Sequence, residues 1–185
     1  EMQYAHGGDI YTYKNLLDFS INVNPLGPAD AVVEAAARSL QRIGEYPDSR
    51  SRELRNALAE KKGLEAERFV IGNGAADLLF SLVLAEKPQK AMIVIPAFSE
   101  YEQALKTVGC EILYHEVKKE NNFRLGTDLT EKITSELDFL FLCSPSNPAG
   151  QAVEKEFLIK IAEKCEKERV RLVLDECFVQ FLTSG

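Results

Sequence analysis

The stretch Asp138-Phe-Leu-Phe-Leu-Cys-Ser-Pro-Ser-Asn-Pro-Ala-Gly150 decides the fold. Phe139 to Cys143 is a short, aromatic-rich apolar run, which suits a strand buried on both faces of a parallel sheet. It leads straight into Ser144-Pro145-Ser146-Asn147-Pro148, where two prolines flank one amide side chain. Proline restricts its own φ and pushes its predecessor toward extended geometry, so Asn147 is held on a stiff loop just past the strand's carboxyl end. In open α/β sheets ligands bind at that edge. An amphipathic segment follows, with Phe157, Leu158, Ile161, Ala162 and Cys165 at helical spacing. A second apolar run, Val170 to Leu174, reads as another buried strand and ends in Asp175-Glu176. Strand, helix and strand make a right-handed crossover, which brings Asn147 and Asp175 to the same edge. From spacing alone, plainer duties fit equally well, with Asn147 capping a turn and Asp175 a helix.

Upstream, the same alternation repeats. Arg68 to Ile71 reads as a short strand leading into Gly72-Asn-Gly-Ala-Ala-Asp77 and then a helix carrying Leu78, Leu79, Leu82 and Val83. A glycine turn that opens a helix with small residues leaves backbone N–H groups room to surround a phosphate. Such turns also join strands to helices with no ligand, and this one is neither a Walker A loop nor a GxGxxG. Ala91 to Ile95 is a further buried strand ending at Pro96-Ala97-Phe98, so the Phe98 ring lies where it can face a ligand. A helix over 100–108, a strand over 111–115 and a helix ending near Leu137 follow. Nearer the start, the spacing predicts a helix from an Asp30 N-cap through Arg42 and another from Ser51 to Lys62, closed by Gly63. Five strands separated by helices predict a three-layer α/β/α architecture around a mostly parallel sheet. Residues 1–29, rich in Gly, Asn and Pro, read as an irregular arm, with a short edge strand over 18–23, and residues 30–185 as the α/β domain.

Composition bounds the function. A net charge of −7 with no Lys/Arg cluster argues against a general nucleic-acid surface, though not against small anions at helix N-termini. The four cysteines, Cys110, Cys143, Cys165 and Cys177, show no CxxC spacing and read as reduced core residues of a cytoplasmic protein, with no metal site. The first residues lack a basic region and an apolar core, so the expectation is no signal peptide and no membrane span.

Taken together, Gly74-Ala75-Ala76, Phe98, Asn147 and Asp175 resemble the cofactor site of fold-type I pyridoxal-phosphate enzymes, the class I/II aminotransferase superfamily. The order of the motifs matches across nearly the whole chain. The resemblance implies a pyridoxal 5′-phosphate cofactor. Its phosphate would rest on Gly74, Ala75 and Ala76, Phe98 would stack on the ring, Asn147 would donate to the phenolic oxygen, and Asp175 would pair with the ring nitrogen. It further implies that Tyr46, in a Tyr-Pro turn that otherwise reads as a ring packed on a neighbour, reaches the phosphate of a partner subunit's cofactor in a homodimer.

His6-Gly-Gly-Asp9, Asp18 to Gly27 and Glu45-Tyr-Pro-Asp48 look like the threonine-phosphate decarboxylase subgroup of cobalamin biosynthesis. Histidinol-phosphate aminotransferases share most of the cofactor motifs and stand as the alternative. The resemblance implies that His6, Gly7, Asn22 and Asn147 contact a phosphorylated amino acid; from the residues alone, a lone His beside glycines is more often a plain loop residue. Two departures stand out. Phe178 occupies the place where many aminotransferases have a Tyr. The Schiff-base lysine that the family carries on a strand well after the Asp has no counterpart, since no lysine follows Lys167. The expectation is therefore an N-terminal part of an enzyme, inactive alone, lacking the rest of the large domain and a small C-terminal domain. A non-catalytic module that binds a phosphorylated ligand is the rival from another class.

Overall fold

The computed structural model describes residues 7–9, 11, 12, 14 and 16–182. Two compact units divide the chain, residues 1–69 and residues 70–185.

In the first unit, helices α1 (Asp30–Ser39) and α2 (Arg52–Lys62) are joined by a 3-10 turn over Leu40–Arg42 and a loop. Asp30 is the first helical residue and not the cap; Ala29 takes the cap position without a side-chain bond. The α2 boundary matches the sequence reading, because Gly63 ends the helix at φ 65°, the left-handed geometry a C-cap needs. The loop before α2 is held by Asp48, whose carboxylate accepts from the Arg52 backbone at 2.9 Å and pairs with its guanidinium at 3.0 Å.

Residues 18–23 form no strand. Asp18 accepts from the Ser20 N–H at 2.8 Å, and Asn24 bonds Leu26 and Gly27 at 3.0 and 2.8 Å. These local side-chain bonds offer the backbone an alternative to a ladder.

The second unit holds a four-stranded sheet among the described residues: β1 (Lys90–Ile95), β2 (Glu111–Glu116), β3 (Phe139–Cys143) and β4 (Arg171–Asp175). All pairs are parallel, in the order β2-β1-β3-β4. Four helices accompany it, α3 (Gly74–Glu86), α4 (Ser99–Thr107), α5 (Leu129–Lys132) and α6 (Lys155–Glu168).

The layer structure follows from the two-residue strand period. Ala91 and Ile93 of β1, with Phe139 and Phe141 of β3, pack with Leu79 and Val83 of α3 and Tyr101, Ala104 and Leu105 of α4. Met92, Leu140 and Leu142 point the other way, onto Leu129 of α5 and Ile161 and Cys165 of α6. Both faces are covered, as expected for a doubly wound α/β layer.

Three further expectations need correction. Arg68–Ile71 is not a strand: a 3-10 turn occupies Ala66–Arg68, and Phe69 onward is extended without a ladder partner among the described residues. β4 is only half-buried, because it lies at the sheet edge and not inside it. The helix anticipated to end near Leu137 is a single turn that stops at Lys132, after which Ile133 and Leu137 fill the core from irregular backbone.

Candidate functional site

The carboxyl ends of β1, β3 and β4 carry the residues singled out from sequence. β1 leaves the sheet at Ile95 and passes through Pro96, Ala97 and Phe98 into α4. β3 ends at Cys143 and turns through a loop closed by Ser146, whose N–H donates to the Gln151 carbonyl at 2.8 Å. The Ser144 hydroxyl accepts from the Val153 N–H at 2.9 Å, pinning the far side of the same loop. The bonds before Pro96, Pro145 and Pro148 are cis. β4 ends at Asp175, beside Cys143 in the parallel register. The Ser144 N–H donates to the Asp175 carbonyl at 2.9 Å, so the two loops leave the sheet side by side.

Asp175 is the centre of the arrangement. Its Oδ2 accepts from the Tyr101 hydroxyl at 2.6 Å, and its Oδ1 accepts from the Cys177 N–H at 3.0 Å. Tyr101 is 1% exposed and stacks on Phe141 at 5.3 Å, while Phe98 meets it edge-on at 5.9 Å. Burial and the adjacent carboxylate hold the Tyr101 phenol far above its ordinary value, so it stays a donor. Desolvation of the Cys177 thiol, with the Asp175 carboxylate beside it, pushes that group up to about 12. Burial raises the Cys143 thiol as well.

The remaining cofactor candidates sit in the same unit. Asn147 is half-buried on the β3 loop. Gly74, Ala75 and Ala76 form the first turn of α3, whose N–H groups have no carbonyl inside the helix to bond. Gly74 adopts φ +86°, a left-handed geometry that disfavours any side chain, and open space lies where its Cβ would be. Asp77 closes the preceding turn by accepting from the Asn73 N–H at 2.8 Å.

In the first unit, Tyr46 is 94% exposed, so its ring does not take the packed position that is the plainer expectation for a Tyr-Pro turn. Gly7 lies so close to Ser20 that any Cβ would overlap the Ser20 carbonyl. Asn22 lies in exposed coil, and His6 is outside the described residues.

Sequence reasoning missed Tyr101 and both flanking thiols. A usable signal for Tyr101 exists: a tyrosine on the apolar face of α4, one turn after Phe98, needs a buried partner for its hydroxyl. Cys177 departs from the reading of all four cysteines as core, because the turn after β4 leaves it exposed.

The family model for aminotransferase class I and II matches residues 14–185. A threonine-phosphate decarboxylase from Salmonella typhimurium is 38% identical across 96% of this chain and 51% of its own length. A histidinol-phosphate aminotransferase from Methanococcoides burtonii is 33% identical across 90% of the chain and 46% of its own length. The solved histidinol-phosphate aminotransferase of Clostridium acetobutylicum superposes with a TM-score of 0.77 at 28% identity, over 90% of this chain and 48% of that one. The chain thus spans about half the length of the curated relatives it matches.

Proposed function

This chain belongs to the class I and II aminotransferase family, and from that membership we propose that it carries the cofactor-binding part of a pyridoxal-phosphate enzyme acting on a phosphorylated amino acid. The reading most like its relatives is decarboxylation of threonine phosphate in cobalamin biosynthesis. The observation that supports it above the others is the Asp175 carboxylate at the end of β4, held by Tyr101 and Cys177 beside the Asn147 loop.

The residues present fit such a cofactor. A carboxylate has about four acceptor positions, and two donors leave Asp175 able to take a third from a ring nitrogen. Exposed N–H groups at the N-terminus of α3, opened by a glycine with free space around it, suit a phosphate. Pyridoxal phosphate, when bound, acts as an electron sink for negative charge developing at the substrate α-carbon. The chain's own contribution is positioning and charge. Gly74, Ala75 and Ala76 would hold the phosphate, Phe98 would cover one face of the ring, and Asn147 would donate to its phenolic oxygen. Asp175 would pair with the ring nitrogen, and Tyr101 holds Asp175 oriented for it.

His6, Gly7, Asn22 and Asn147 are proposed substrate contacts. Tyr46 is proposed to reach the cofactor phosphate of a partner subunit in a homodimer, in a cytoplasmic setting.

Titration with pyridoxal phosphate, followed by borohydride reduction and intact mass, tests the proposal. The expected result is saturable binding, weakened in Asp175→Ala, with no stoichiometric adduct on a lysine, because no lysine follows Lys167. Absence of binding, or equal binding by the variant, would overturn the cofactor reading. Transamination is the second reading, favoured by the 33%-identical aminotransferase relative. Release of carbon dioxide from threonine phosphate, against appearance of a keto acid, separates the two in an active enzyme.

A further inference from the structure

The connection from β2 to β3 is fastened where a lysine reaches a buried imidazole. His115 lies near the end of β2 and is 3% exposed. Lys132, the last residue of α5, places its Nζ 3.1 Å from His115 Nδ1 and 3.1 Å from Asp128 Oδ2. We propose that His115 is a proton-operated latch: its neutral ring holds the α5 turn on the sheet, and protonation releases that turn.

The direction of the bond carries the inference. An ammonium can only donate, so Nδ1 must accept, and the proton of the neutral ring sits on Nε2. A proton added at Nδ1 removes the acceptor and leaves two cations 3.1 Å apart. Burial disfavours the charged ring first, and the Lys132 ammonium adds to it, so the closed turn holds the neutral form. The Asp128 carboxylate opposes them in part, and its bond to Lys132 keeps it below its ordinary value, so it stays ionised while the ring titrates. Lys132 and Asp128, both from the α5 segment, are the charged groups that act on the ring among the described residues. On β1 its register partner is the apolar Val94. His115 shares its strand face with Leu113, on the uncharged layer of Met92, Leu129, Ile133 and Leu137.

What gives way is local. α5 is a single turn, closed by long N–H bonds from Leu129 to the Gly126 carbonyl at 3.4 Å and from Thr130 to the Thr127 carbonyl at 3.2 Å. An element with so few backbone bonds opens at low cost. Its release uncovers Leu129 and Ile133, both fully buried when it is closed. The latch lies on the sheet face opposite Tyr101 and on the edge strand farthest from β4, so it shares no residue with the cofactor reading. Because the closed turn lowers the ring's pKa, closure is fully favoured above the open-state value of about 6.5. That advantage is lost as pH falls through the closed-state value.

Hydrogen exchange followed by NMR on the full chain tests the latch. The Leu129 and Thr130 N–H groups should lose protection below about pH 6.5. The loss should be several-fold and at most about tenfold by about pH 5.5, because one proton is taken up per opening. Low urea should leave their exchange unchanged while speeding that of β3, the mark of local opening against global unfolding. His115→Gln keeps an acceptor that does not titrate, and should keep the protection while removing its pH dependence. Lys132→Met should raise the His115 pKa. In the parent chain, imidazole nitrogen shifts in the neutral state should report the Nε2–H tautomer, a readout that needs no variant. An Nδ1–H tautomer, protection that does not change with pH, or an unaltered pH dependence in His115→Gln would overturn the proposal. So would an unmoved His115 pKa in Lys132→Met, or exchange of Leu129 and Thr130 only in step with β3 at every urea concentration.

Discussion

Replacing Tyr101 with Phe deletes one oxygen and keeps the ring. The ring packs on Phe141 at 5.3 Å and against Phe98 at 5.9 Å, and those contacts survive the change. What is lost is the 2.6 Å bond from the phenol to Asp175 Oδ2. A hydrogen bond to a charged group contributes about 1.5–3 kcal/mol net. Asp175 is half-buried and keeps the Cys177 N–H on its other oxygen, so solvent partly replaces the lost donor and the lower end applies, about 1.5 kcal/mol. With a urea m-value of about 2 kcal/mol/M, the unfolding midpoint falls by roughly 0.7 M. Far-UV circular dichroism across a urea series measures it. A cycle with Asp175→Asn and the double variant then isolates the pair, with a coupling of about 1 kcal/mol or more expected. A midpoint within about 0.2 M of the parent, or a coupling below about 0.5 kcal/mol, would refute the assignment of Tyr101 as the residue that positions Asp175.

Two further outcomes test the fold. Leu140→Ala removes a fully buried side chain from the inner strand β3, between Met92 and Leu172 on its neighbours, and should cost about 2–5 kcal/mol in the same urea assay. His115 is buried, and burial first, then the Lys132 ammonium 3.1 Å from Nδ1, lowers its pKa below 6.5. The folded state therefore favours the neutral ring, and this contribution is complete above the unfolded pKa and lost as pH falls through the folded one. Stability should decline from about pH 6.5 downward, and His115→Gln should flatten that decline; an unchanged slope in the variant would sink the attribution.

The doubly wound layer was legible because its signal is local. A five-residue apolar run with no polar break can only be covered on both sides, and β3 is buried at every position as that demands. Loop chemistry was legible for the same reason: Pro145 and Pro148 around Asn147, and Gly74 at the start of α3, act through their own backbone geometry. Strand status for Arg68–Ile71 was not, because a short segment with three apolar residues becomes a strand only if a neighbour supplies a ladder. The aspartate's surroundings were hidden too. Tyr101 lies 74 residues before Asp175, and nothing along the chain states that its hydroxyl crosses the β3 face to reach it.

By itself, the sequence determined the alternation of strands and helices, the parallel sheet and the edge at which Phe98, Asn147 and Asp175 emerge. Period-2 and period-3.6 patterns, with proline and glycine, specify such features within a few residues of chain. Only the tertiary structure decided which groups surround Asp175. The hydroxyl of Tyr101, the N–H of Cys177 and the two sulfurs meet there because β3 and β4 pair in one register and α4 packs across them. A register is a property of two strands together, and no single segment carries it.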